Sequence, residues 1–71
     1  GIVQSGTTLI VVKKRGLFEE GMTFTCLGVK KDYVFLWAHD RNFSDYELKV
    51  SLSVVKDIMR PQDYRILGNN W

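Results

Sequence analysis

The chain has 71 residues, a single cysteine, and a net charge of +2 from ten Lys and Arg against eight Asp and Glu. That length allows one domain over 1–71 with a small core. One cysteine excludes an internal disulfide and a cysteine-rich zinc site, no apolar run approaches the ~20 residues of a membrane helix, and the mild basic excess permits nucleic acid without arguing for it.

Residues 1–7 read as a loose lead-in. Thr8 to Lys13 (TLIVVK) is rich in β-branched residues and predicts a first strand. Lys13-Lys14-Arg15-Gly16 punctuates it, and Leu17-Phe18-Glu19-Glu20-Gly21 turns the chain, with Gly21 free to take positive φ. Met22 to Val29 predicts a second strand with Met22, Phe24 and Cys26 on one face and Thr23, Thr25, Leu27 and Val29 on the other. Cys26, between Thr25 and Leu27, reads as a small core residue rather than a nucleophile.

Lys30-Lys31-Asp32 is a short hairpin connection. The third strand, Tyr33 to Ala38 (YVFLWA), is apolar throughout. A polar loop follows, and then Glu47 to Val54 alternates polar and apolar, which predicts a fourth strand with Leu48, Val50, Leu52 and Val54 inward. Val55 to Met59 predicts one helical turn, since Pro61 disfavours helix at Arg60. Tyr64 to Leu67 predicts a short last strand, and 68–71 a tail. The expected fold is all-β: a small antiparallel barrel of four to five strands with a helical turn near 55–59.

The third strand raises the functional question. One of its faces carries Tyr33, Phe35 and Trp37, the other Val34, Leu36 and Ala38. The second strand has only one apolar face, and residues opposite each other share a face. One apolar set must therefore lie on the threonine side. A three-residue loop sends the aromatics out. A two- or four-residue loop pairs Val29 with Val34 and sends them in, and no Asn-Gly signal fixes the turn. Leaving two or three large apolar side chains uncovered forgoes ~3–9 kcal/mol, against ~5–15 kcal/mol for the whole stability of a domain. The expected cover is the chain's own ends, a second copy in a homodimer, or another molecule.

Three segments resemble the SH3 family in order. Leu17 to Leu27 resembles its diverging turn, Asp32 to His39 its tryptophan-bearing strand, and Arg60 to Leu67 its Pro-x-x-Tyr turn before the last strand. The paired tyrosines of the SH3 opening strand and its long acidic loop are missing. The resemblance implies an SH3-like barrel in which Pro61 and Tyr64 match the ligand-side Pro and Tyr, and Phe35 the ligand-binding Trp. A second likeness covers Leu9 to Gly16 and Cys26 to Leu36, which resemble two strands of the carbon-storage-regulator family of RNA-binding dimers, with Lys13 and Lys14 matching its basic first strand.

The chemistry-bearing residues are sparse. A lone His39, no serine elbow and no glycine-rich phosphate loop point away from an enzyme, and no cofactor or metal is expected. The expectation is a cytoplasmic, non-catalytic protein-binding module or regulatory inhibitor, with no membrane partner. Its surface would be Phe35, Trp37, Pro61 and Tyr64, with Tyr33, Tyr46 or Phe43 at the rim and Lys30, Lys31 and Arg65 steering an acidic partner. The alternative is a nucleic-acid binder with Lys13, Lys14, Arg15, Lys30 and Lys31 on phosphates.

Overall fold

The computed structural model describes residues 4–39 and 47–62. Five antiparallel strands form one sheet in the order β4-β3-β2-β1-β5. They are β1 (Thr8–Val11), β2 (Thr23–Lys30), β3 (Tyr33–Ala38), β4 (Glu47–Ser51) and β5 (Met59–Pro61), and a helix α1 (Leu52–Ile58) joins β4 to β5. No helix among the described residues is long and apolar enough to cross a membrane.

The expected barrel does not close. β4 and β5 are the two edges of the sheet and do not pair with each other. The helix runs from one edge to the other and touches β3, β4 and β5. It buries Val55 and Ile58 completely, so the inner face is capped by a helix instead of by closing strands. The core is Leu9, Val11, Phe24, Cys26, Val34, Leu36, Ala38, Val55, Ile58 and Met59. Phe18 leans on Phe24 with ring centroids 5.6 Å apart.

Two elements depart from the sequence expectation for one reason. Leu52 and Val54 continue the alternation of β4, yet α1 begins at Leu52. A spacing of three also runs through Leu52, Val55 and Ile58, so the same letters satisfy the helical period. Tertiary bonds decide between them. Leu52 N–H donates to the Asp32 carbonyl at 2.7 Å, which occupies one of the donors that a helix start leaves unpaired. At the far end Val12 N–H donates to the Ile58 carbonyl at 2.7 Å, and Arg60 Nη1 donates to the Lys56 carbonyl at 2.6 Å.

The helix therefore spans Leu52–Ile58 rather than a turn at 55–59, and Met59 leaves it to open β5. Pro61, expected as an exposed ligand-side residue, is buried in β5 opposite Leu9. An edge strand tolerates its missing N–H, and Gln62 N–H resumes the pairing with the Thr8 carbonyl at 2.8 Å. The strand expected at 64–67 lies outside the described residues.

The hairpin between β2 and β3 settles which face is outward. Its loop is the two residues Lys31 and Asp32, with Lys30 opposite Tyr33 and Val29 opposite Val34. A regular ladder from that turn would carry Tyr33, Phe35 and Trp37 to the core. The ladder instead shifts between Cys26 and Gly28, so that Gly28 faces Phe35 while Cys26 faces Leu36 and Phe24 faces Ala38. One extra residue in a bulge reverses the alternation beyond it. Val34, Leu36 and Ala38 are buried, and Tyr33 and Trp37 stand 42% and 45% exposed.

Candidate functional site

The outward side of β2, β3 and β4 is a nearly flat face centred on β3. Across the strands Trp37 lies between Thr25 and Glu47, Phe35 between Gly28 and Lys49, and Tyr33 between Lys30 and Ser51. Because side chains on a strand alternate, the three rings project on one side at steps of ~6.6 Å. Gly28 contributes no side chain beside Phe35, and a Cβ built there meets nothing within 4 Å. The ring is thus open on its β2 side. A shallow hollow of about 250 Å³ lies there, bordered by Leu27, Val29, Lys30, Phe35 and Glu47.

Polar groups mark both ends of the ladder. Beyond Trp37, His39 bonds two threonine hydroxyls, with Nε2 2.6 Å from Thr25 Oγ1 and Nδ1 3.1 Å from Thr23 Oγ1. These bonds fix the threonines that the sequence placed on the same face. At the other end the Lys49 ammonium lies over the Tyr33 ring, 4.3 Å from its centroid, a cation–π contact.

Besides Lys56 on α1 and Arg60 on β5, the described basic residues form two groups. Lys13 Nζ is 3.3 Å from Asp57, Arg15 is 3.7 Å from the same carboxylate, and Lys14 Nζ is 2.6 Å from Glu19. All these groups are largely exposed, so the pairs contribute little stability, but they offset much of the charge of the 13–15 cluster. Lys30, Lys31 and Lys49 form no ion pair among the described residues. The two groups sit at opposite ends of β2, about 25 Å apart at ~3.3 Å per residue, and do not make one patch.

Of the residues expected to form a binding surface, Tyr33, Phe35 and Trp37 come together and Lys30 and Lys31 join them. Pro61 does not, since it is turned inward on β5, which β2 and β1 separate from β3. Tyr46, Phe43, Tyr64 and Arg65 lie outside the described residues. Lys49 was absent from the expected set. Its signal was legible, because it sits on the wet face of the alternating stretch, but its place beside Phe35 needed the β3–β4 register.

Cys26 is fully buried. Burial pushes its thiol above its ordinary range, opposed by a hydrogen bond with the Gly28 backbone, so it stays a protonated packing residue at neutral pH. Among the described residues no three His, Cys, Asp or Glu side chains are grouped to hold a metal ion. A second, apolar cleft of about 490 Å³ lies between the Arg15–Phe18 turn and β4, lined by Leu17, Phe18, Leu48, Val50 and Val54. No family model, curated protein or solved structure matches the chain.

Proposed function

We propose that the chain is a non-catalytic binding module whose working surface is the outward face of β2, β3 and β4. The observation that carries this reading is the ladder of Tyr33, Phe35 and Trp37 on the outward face beyond a bulge, with Tyr33 and Trp37 exposed and Phe35 half-buried between them. Bulges of this kind re-aim side chains beside functional sites. Exposed aromatic rings are costly to leave uncovered and are the residues most often found at the centre of macromolecular interfaces. A module that regulates or inhibits its partner by covering it fits this face. The groove for proline-rich peptides implied by the SH3 resemblance does not, because Pro61 and Phe35 share no surface.

The test compares the immobilised wild type with a Phe35→Ser/Trp37→Ser variant in cell lysate, with both protein and nucleic acid recovered and measured. The variant should keep the wild-type circular dichroism spectrum and lose the retained material. Equal recovery by the two proteins overturns the assignment.

A further inference from the structure

On the reading that the outward face is the working surface, we propose that its ligand is single-stranded nucleic acid. Each of the three rings receives one base, and Lys30, Lys31 and Lys49 receive phosphates.

Charge and its placement carry the choice. Lys30, Lys31 and Lys49, which form no ion pair among the described residues, stand around the Tyr33–Phe35 end of the ladder. Lys30 is across from Tyr33 on β2, Lys49 is across from Phe35 on β4, and Lys31 is in the adjoining turn. Lys13, Lys14 and Arg15, by contrast, are paired with Asp57 and Glu19. Among the described residues two carboxylates border this face. Asp32 lies in the turn, and Glu47 stands across from Trp37 at the end away from Lys30. The potential is therefore graded along the strand, positive at Tyr33 and negative at Trp37. Phosphates belong at the first end and a base edge at the second, where Thr23, Thr25 and His39 offer hydrogen-bonding groups.

Geometry agrees with a single strand. Rings at ~6.6 Å steps are about twice the ~3.4 Å rise of a stacked strand, so neighbouring bases must unstack and can each lie on one ring. A duplex keeps its bases covered and offers none of them. The sequence-tolerant combination of aromatic platforms with flanking cations is the recurrent solution for such ligands. In the free protein Lys49 occupies the Tyr33 ring. A base stacking there displaces it towards the phosphate that follows.

The turn gives an independent sign. Lys31 takes φ 56°, and it is the only described non-glycine residue with positive φ. The other two-residue loop, Gly16-Leu17, uses glycine at the same position with φ 57°. A lysine held where glycine fits more easily is strain of the kind found at binding sites.

The experiment uses the full chain carrying Trp71→Phe, which leaves Trp37 as the only indole. It is titrated with dye-labelled dT15 and U15, a duplex of equal length, and poly-L-glutamate, from 50 to 300 mM salt. Binding of dT15 or U15 should quench Trp37 emission, and the duplex and poly-L-glutamate should leave it unchanged. A preference between dT15 and U15 tells DNA from RNA.

The logarithm of affinity should fall with log salt at a slope of about −2, at ~0.7 per phosphate for three lysines. Lys30→Ala and Lys49→Ala should each flatten it by ~0.7, and Lys13→Ala should not change it. Phe35→Ala and Trp37→Ala should weaken binding ~5- to 100-fold, and Trp37→Phe should restore most of it. Failure of both oligonucleotides to bind at 50 mM salt, or binding indifferent to Phe35 and Trp37, overturns the proposal. If the oligonucleotides fail while the Ser variant still releases a protein in lysate, the surface stands and its ligand is that protein. If both fail, both readings fall.

Discussion

At the level of single residues, the two hairpin turns are a matched comparison. Gly16 and Lys31 hold nearly the same φ, 57° and 56°, at the first position of two-residue loops. An L-residue with a Cβ costs roughly 1–2 kcal/mol in that region, while glycine there costs ~0.5–1 kcal/mol through its looser unfolded chain. Lys31→Gly should therefore raise stability by ~0.5–1 kcal/mol, seen as a melting temperature a few degrees higher. If Lys31 serves a ligand, the same change should weaken binding. A variant that is less stable than the wild type would show that the lysine side chain itself supports the turn.

At the level of elements, the bulge in β2 explains what the sequence revealed and what it hid. The two faces of YVFLWA and the single apolar face of β2 were legible from alternation, because side-chain direction on a strand depends only on parity. The turn length was open, and the structure supplies the two-residue loop that a regular ladder would couple to inward aromatics. The bulge breaks that coupling. Its residue Leu27 looks like any other strand residue in the sequence, so nothing in the periodicity marks it.

The start of α1 was hidden differently, since Leu52 and Val54 satisfy both periods and the bond from Leu52 N–H to Asp32 is visible only in three dimensions. Deleting one residue tests the bulge directly. Without Leu27, Cys26 and Gly28 become neighbours opposite Leu36 and Phe35, a regular ladder with every facing kept. That deletion should leave a cooperative thermal transition and cost less than ~2 kcal/mol, because Leu27 is 42% exposed. Deleting Thr25 from the regular part of β2 should abolish the transition, since it turns Phe24 away from the core. Equal behaviour of the two deletions would remove the bulge from the account.

At the scale of the whole molecule, the sheet has one covered side and one open side, and the helix accounts for the difference. Val55 and Ile58 reach the inner face and meet Leu9, Phe24, Val34 and Leu36, all fully buried. No described element lies over the outward face. The apolar content of β3 is thus divided between two tasks, and the division can be measured by substituting each side separately. Changing Val34 and Leu36 to Thr removes two completely buried side chains and places hydroxyls where nothing accepts them. At ~1.5–3 kcal/mol each for lost burial, with a further ~1–3 kcal/mol for each stranded hydroxyl, the loss rivals the ~5–15 kcal/mol that holds a domain together. That double variant should be unfolded at 25 °C without denaturant. Changing Tyr33, Phe35 and Trp37 to Thr gives up only the part of each ring that neighbours cover, and on a strand threonine is well tolerated. The triple variant should fold, with a urea midpoint lowered but a slope like that of the wild type. The opposite ranking, with the aromatic triple unfolded and the Val34/Leu36 double intact, would place the rings in the core and leave the molecule without an open face for a ligand.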